Sequence, residues 1–392
     1  MKYDRSFFDR EIDRNGTYSV KWDIPQKAVG PDVNPMWVAD MDFEGLPEVS
    51  QALQERAAHP AFGYTLESDA SVEALLSFMK RRHGLELAKE DHALLPCVIT
   101  GLRAAVLALT QKEERVIVQP PVYGPFYQSA RENLRELAEC PLKVDEVGRY
   151  TMDLDSVEDA CRAGARLMLL CNPHNPVGRC WSRQELVSLL EVLRKYGTAL
   201  ISDEIHEDFV YEKGAFTPIL SLVSSEEPVV ALTSASKTFN LAGLQQAVAF
   251  SKNHALLSQL QDVMDHVGVV SGNIFAMTAT EAAYRYGDEW LDGLLVYLKE
   301  GEQLFRQILS QKLPQAILSP LEATYLGWIN LRSLGFSQEE LVTRCRGEGL
   351  ELNDGTIFGK EAGKGYLRVN YACSHRRVML AAEQLAAAME KK

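Results

Sequence analysis

The sequence predicts an α/β protein built around a mainly parallel sheet, and three observations carry that expectation. Short, continuously apolar runs at 115–118, 166–171, 199–202 and 229–232 suit strands buried on both faces. Amphipathic helical patterns lie between them, giving the β-then-α rhythm of an open sheet. Each run also leads into a polar or Pro-containing segment: Gln119-Pro120-Pro121, Asn172-Pro173, Asp203-Glu204 and Thr233-Ser234-Ala235-Ser236-Lys237. Ligands of open α/β sheets bind outside the carboxyl ends of the strands, where these segments would collect.

Taken in order, the first 13 residues alternate charge with aromatics and show no apolar core of a secretory signal. No apolar stretch of about 18 residues follows, so no spanning helix is predicted and the chain reads as cytoplasmic. The segment 182–196 opens on Ser182 with Glu185 three residues on, a capping box, and Leu186, Leu189, Leu190 and Leu193 form one stripe. The last third changes character: 288–309 reads as a long helix, 323–331 as a strand, 337–347 as a helix, 365–371 as a strand and 376–391 as a closing helix. At 392 residues, and roughly 100–200 residues per domain, this suggests more than one unit. The expected division is an N-terminal segment over 1–45 packing with a small C-terminal domain over 286–392, and a large ligand-binding domain over 46–285.

Bulk composition excludes several classes. A formal net charge of −13 argues against a nucleic-acid-binding surface, and the basic run at Lys80–Arg82 reads as a solvated helix face. The seven cysteines are scattered without C-x-x-C spacing, which predicts reduced thiols and neither a metal site nor a disulfide framework. Neither repeats nor low-complexity tracts are present.

Five segments carry candidate chemistry. Lys237 follows an apolar strand among small hydroxyl residues, where partial desolvation would lower its pKa and make it a nucleophile towards an aldehyde. Ser234 and Ser236 could donate to a phosphate, although the segment alone also fits a solvated loop. Asp203 closes another strand; burial would raise its pKa unless a cation faced it, and a helix cap or a strand-end ion pair is an equal alternative. Asn172-Pro173-His174-Asn175-Pro176-Val177-Gly178 makes a stiff loop able to hold the Asn175 amide at a fixed point. Thr100-Gly101-Leu102 opens an apolar helix whose free N–H groups could seat a phosphate. Tyr123, in Pro120-Pro121-Val122-Tyr123, could stack on a flat cofactor or simply pack.

In this order and spacing the segments resemble fold type I pyridoxal-phosphate enzymes of the class I/II aminotransferase family, over roughly 33–388. A closer likeness, to the cystathionine β-lyase branch often called MalY/PatB, rests on Trp37-Val38-Ala39-Asp40-Met41-Asp42-Phe43, Phe62-Gly63-Tyr64, Ser202-Asp203-Glu204-Ile205-His206, Ser236-Lys237-Thr238-Phe239-Asn240 and Ala323-Thr324-Tyr325-Leu326. The resemblance implies a seven-stranded, mainly parallel sheet in a large domain plus a smaller α+β domain. It implies pyridoxal 5′-phosphate bound to Lys237 as a Schiff base, with Asp203 at the ring nitrogen, Asn175 at the phenolic oxygen and Tyr123 stacked on the ring. Thr100, Gly101, Leu102, Ser234 and Ser236 would hold the phosphate, and Tyr64 would reach the phosphate of a neighbouring subunit in a homodimer with shared sites. Arg368 would clamp the substrate carboxylate, with Ala39 and Asn175 on the substrate side. His206 stands where many aminotransferases place a Tyr, and Gln245 where many place a phosphate-binding Arg.

The implied reaction is α,β-elimination on an amino acid with a sulfur leaving group at Cβ, releasing a thiol, pyruvate and ammonia; with cystathionine the thiol would be homocysteine. Two other readings stay open. One is an aminotransferase, which shares the early steps. The other is a regulatory protein that uses the same fold to bind a transcription factor.

Overall fold

The apolar runs become the middle of a seven-stranded sheet in the computed structural model, which describes residues 2–269 and 272–390. Its strands are β1 (His92–Leu95), β2 (Arg115–Val118), β3 (Glu136–Glu139), β4 (Leu167–Cys171), β5 (Ala199–Asp203), β6 (Val229–Thr233) and β7 (Ala247–Phe250), in the spatial order β1-β7-β6-β5-β4-β2-β3. Only β7 runs against the rest, pairing antiparallel with both β1 and β6. Six carboxyl ends therefore point to one edge.

Period-2 alternation explains why the central strands are apolar throughout. Met168, Leu170 and Leu200 join the hydrophobic cluster on one face, while Leu167, Leu169 and Ile201 join the cluster on the other. Helices cover both faces. After α1 (Asp69–His83), α2 (Val98–Leu109) places Leu102, Ala105 and Val106 on the second cluster. On the first, α3 (Arg183–Tyr196) places the Leu186, Leu189, Leu190 and Leu193 stripe. Its capping box forms as the sequence predicts, with Ser182 and Glu185 bonding each other's backbone amides. A four-residue helix, α4 (Ala235–Thr238), follows β6 directly.

Beyond α5 (Asp288–Lys312) a four-stranded antiparallel sheet is built from β8 (Ile317–Leu318), β9 (Leu326–Asn330), β10 (Asn353–Asp354) and β11 (Tyr366–Asn370), in the order β8-β9-β11-β10. α5 and α6 (His375–Met389) pack against it through Phe305, Leu309, Ile329, Leu367, Val369, Val378 and Leu385. Asn34 and Pro35 pair in parallel with Leu350 and Glu351, so the amino-terminal segment is stitched to this second body. Among the described residues no helix is long and apolar enough to cross a membrane, and all seven cysteines are free thiols.

Several boundaries differ from the sequence-based expectation. The helix expected to open at Thr100 begins at Val98, because Cys97 already takes the extended N-cap conformation. The strand expected over 323–331 is confined to Leu326–Asn330; Thr324 has a left-handed φ of 68°, which breaks the extended run. The helix expected over 288–309 continues to Lys312. The closing helix starts at His375, capped by Ser374, and ends at Met389; the expected end at Lys391 lies outside the described residues.

Gly327, on β9, sits under the ring of the buried Tyr371, where an added Cβ would lie 2.0 Å from the Tyr371 hydroxyl oxygen and 2.6 Å from Cζ. Gly327→Ala is therefore expected to destabilise the protein by about 1–3 kcal/mol through overpacking. Chemical denaturation measures this, and a variant as stable as the parent contradicts the packing described.

Candidate active site

The carboxyl edge of the large sheet meets the small sheet around a cavity of about 360 Å³. Each wall comes from a strand end or its continuation. Asp203 is the last residue of β5, and His206 lies in the turn after it. Lys237 rides on α4 immediately after β6. Asn175 follows β4, in the loop whose Asn172–Pro173 and Asn175–Pro176 bonds are cis. Tyr123 follows β2, and Cys97, Val98 and Ile99 bring the amino end of α2. From outside the large sheet come Trp37, Val38 and Ala39, together with Asn353, Ile357, Phe358 and Arg368.

Lys237 is half-buried, and its Nζ donates to the Ala39 carbonyl at 2.7 Å; the Tyr325 hydroxyl donates to the same oxygen at 3.1 Å. Burial lowers the Lys237 pKa to about 8, aided by the Arg368 charge and opposed by Asp40 and Asp203. Burial likewise lifts Asp203 to about 7, since the only donor it meets among the described residues is the Ile205 amide at 3.1 Å. His206 is held neutral, at about 3, by burial and by the nearby Lys237 and Arg368 charges.

Arg368, on β11, is buried and its guanidinium is fixed from three sides. Nη1 donates to Asn175 Oδ1 at 2.9 Å, and Nη2 donates to the Trp37 carbonyl at 2.9 Å and to Asn353 Oδ1 at 2.5 Å. The group lies 4.7 Å from the Phe358 ring centroid. Its Nε is buried without a partner. No carboxylate neutralises it through a salt bridge among the described residues, which leaves a rigid cation facing a cavity, a geometry suited to an anionic ligand.

Of the residues singled out from sequence, Lys237, Asp203, Asn175, His206, Tyr123, Ser236, Arg368 and Ala39 all line this cavity. The others are placed differently. Gly101 is packed into the sheet, because a Cβ there would sit 2.7 Å from Leu95 Cδ1 and 2.9 Å from Leu232 Cδ2, and Leu102 is fully buried in the same core. The Thr100 hydroxyl lies 3.3 Å from Cys97 Sγ. What α2 offers the cavity is thus its first-turn amides and the Cys97–Ile99 wall, not the Thr100–Leu102 side chains. Ser234 acts as N-cap of α4: its hydroxyl accepts from the Ser236 amide at 3.0 Å and donates to the Gln246 carbonyl at 2.5 Å, so its proton is committed. Tyr64 is fully exposed, away from the cavity of its own chain. Gln245 does line it, in a left-handed conformation with φ 57°.

Sequence reasoning did not single out Asn353, Ile357 or Phe358, and it quoted Asn240 and Tyr325 only as members of motifs. Asn240 is the joint between the lysine loop and the amino-terminal segment 37–41, accepting from the Met41 amide and donating to the Met41 carbonyl, both at 2.9 Å. Its signal was available, since it closes the Ser236–Asn240 motif. Asn353, Ile357 and Phe358 lie in a stretch without motif character and reach the cavity wall only by folding.

These groups fit pyridoxal phosphate on structural grounds. A buried amine stands in the same cavity as a buried carboxylate with no cation hydrogen-bonded to it, matching an aldehyde and a basic ring nitrogen on one planar group. The His206 Nδ1 is buried and unpartnered, and the first-turn amides of α2 are free to face a phosphate.

Comparison with known proteins agrees. The family described as aminotransferase class I and II matches residues 35–385. The chain is 38% identical over 372 residues to the cystathionine β-lyase PatB of Bacillus subtilis, spanning 94% of this chain and 95% of that one. Cystalysin from Treponema denticola, whose crystal structure contains a pyridoxal 5′-phosphate cofactor, superposes with a TM-score of 0.93 at 28% identity over 99% of both chains. The pyridoxal-phosphate-bound C–S lyase from Staphylococcus hominis gives 0.90 at 28% identity over 98% of both.

The raised Asp203 pKa has a thermodynamic consequence in cofactor-free protein. Between about pH 4 and about pH 7 the folded state retains a proton that the unfolded state has lost, so this residue's effect on stability worsens as pH rises. Asp203→Asn is expected to stabilise the cofactor-free protein at pH 8 by a few kcal/mol, with little gain below pH 4. Urea unfolding at the two pH values tests this; an equal effect at both would contradict a carboxylate buried without a cation.

Proposed function

The chain belongs to the class I and II aminotransferase family, and from that premise we propose that it is a pyridoxal-phosphate-dependent carbon–sulfur β-lyase. It eliminates a thiol from Cβ of an amino-acid thioether, and the three-carbon fragment left behind takes up water to give pyruvate and ammonia. The observation that carries the reading is the convergence of the Lys237 amine, the Asp203 carboxylate and the Arg368 guanidinium on one cavity. Relatives at up to 38% identity bear lyase names, which favours elimination over transamination.

Pyridoxal phosphate, when bound, supplies an aldehyde and an electron-withdrawing ring that makes a proton on Cα of an attached amino acid removable. Lys237 would hold it through its amine, Asp203 through the ring nitrogen, and Ser236 with the first-turn amides of α2 through the phosphate. Tyr123 would lie against the ring, and His206 and Asn175 would offer neutral polar contacts. Arg368, fixed by Asn175, Trp37 and Asn353, binds the substrate carboxylate and sets the orientation of Cα. The Lys237 amine, with its pKa of about 8, takes the Cα proton as general base at neutral to mildly alkaline pH. Trp37, Val38, Ile357 and Phe358 form an apolar side that accepts the thioether and restricts water.

We assign the cofactor-holding body to 46–285 and the smaller part to 286–392 with 1–45. The segment carrying Phe62, Tyr64 and Leu66, exposed by 57%, 109% and 90%, is read as the docking face for a second copy in a homodimer.

Incubation with S-methylcysteine or cystathionine, without any 2-oxo acid, is expected to release pyruvate and thiol; strict dependence on a 2-oxo acid would establish an aminotransferase instead. Lys237→Ala is expected to lose the visible absorbance of the holoenzyme and about 10²–10⁴-fold in rate. Arg368→Lys is expected to cost about 10–100-fold in kcat/KM, because an ammonium cannot replace the fork. Steady-state kinetics check both, and an Arg368→Lys enzyme equal to wild type would remove the carboxylate clamp from the scheme.

A further inference from the structure

Beneath the cavity floor lies a buried polar cluster that the reaction does not use. The six-residue run from Asp203 to Asp208 faces two ways: Asp203 and His206 line the cavity, while Glu207 and Asp208 turn below it. The lysine segment divides in the same manner, with Lys237 in the cavity and Thr238 buried beneath. Two ties join the lower sides. Thr238 Oγ1 donates to Asp208 Oδ2 at 2.6 Å, and Thr233 Oγ1 donates to Glu207 Oε1. A third element closes the cluster from outside: His83, the last residue of α1, places Nε2 2.8 Å from Asp208 Oδ1 and 3.9 Å from Glu207 Oε2. Phe78 and Phe216 meet the His83 ring edge-on and restrict its rotation.

Burial disfavours an imidazolium here and also raises Glu207, but the Glu207 charge and the Asp208 hydrogen bond outweigh it and raise His83. His83 is thus a cation that offsets part of a doubly acidic pocket. The three groups could suggest a metal site, since their ligand atoms lie within 4.8 Å of one another. The His83–Asp208 separation is a hydrogen-bond distance, shorter than the ~3.3 Å between neighbouring ligands of a tetrahedral zinc.

We infer that His83, Asp208 and Thr238 form a positioning chain that fixes the Lys237 turn against the strand end bearing Asp203. Thr238 adjoins Lys237 on a helix of only four residues, which has almost no intrahelical hydrogen bonding to hold its shape. The turn keeps its geometry through outside anchors, and Asp208 is the anchor nearest the lysine. None of the three lines the cavity, so the chain acts through Lys237 and not on the substrate.

The inference rests on Lys237 being the reactive amine, and its test separates the two ideas. Cofactor-free wild type, Thr238→Val, Thr238→Ser and His83→Leu are labelled with an amine-acylating reagent across a pH series, and modification of the Lys237 peptide is followed by mass spectrometry. Wild type should show a midpoint near pH 8. Thr238→Val and His83→Leu should move it upward by at least half a pH unit as the amine gains water, with Thr238→Ser staying near wild type. Titrating pyridoxal phosphate into the same proteins should show at least about tenfold weaker binding for the two disruptive variants, and no further loss in the double variant. Variants that melt earlier yet keep the wild-type midpoint and cofactor affinity would reduce the cluster to a plain stability element and overturn the inference. So would a stoichiometric metal whose removal by chelator lowers the melting temperature. Midpoint shifts without any cofactor binding by wild type would sustain the positioning chain and sink the cofactor reading instead.

Discussion

Everything in this molecule is arranged around an amine kept away from water. An exposed lysine is protonated at neutral pH and inert as a nucleophile; enclosing Lys237 removes the hydration that stabilises its ammonium form. The enclosure is not apolar, because a backbone carbonyl accepts its proton and two aspartates lie close enough to act on it. What the fold withholds is a direct carboxylate hydrogen bond, which would return the amine to permanent charge. The same logic governs Asp203, buried at a strand end with one amide donor. Two groups that would pair in most proteins are held in one cavity with space for a third party between their roles.

Sheet topology makes this economical. Six strands run the same way, so their carboxyl ends gather on one edge, and four of them lead into the polar residues Tyr123, Asn175, Asp203 with His206, and Lys237. The small sheet contributes what the large one cannot, a cation that points back across the gap. Arg368 keeps its charge while buried because four surrounding features share it: two amide oxygens, one backbone carbonyl and an aromatic face. Neutral His206 is a counterpart, since a third positive charge beside Lys237 and Arg368 would be strongly disfavoured.

Much of this was legible in the sequence, and the reason is local. The four apolar runs and the residues that end them are contiguous, so strand position and strand-end chemistry can be read together; Lys237, Asp203, Asn175 and Tyr123 were found that way. The capping box at Ser182 and Glu185 is likewise a four-residue signal. Illegible were features that depend on exact helix phase or on distant partners. Thr100–Leu102 lies two residues inside the helix start at Val98, and that phase packs Gly101 and Leu102 into the core. Ser234 looked like a free donor, but its hydroxyl donates to the Gln246 carbonyl, twelve residues away. Phe358 and Asn353 carry no motif and enter the site only through the second sheet.

The strap at 37–41 binds the two ends of the polypeptide into one floor. Asn370 Nδ2 donates to the Val38 carbonyl at 2.6 Å and the Asp40 carbonyl at 2.8 Å, Arg368 holds Trp37, and Asn240 brackets Met41. This wall of the cavity is therefore complete only when segments more than 330 residues apart have met, however early the central sheet condenses. A chain clipped before residue 368 would carry Lys237 without the Arg368 guanidinium and without the Asn370 ties that hold Val38 and Asp40.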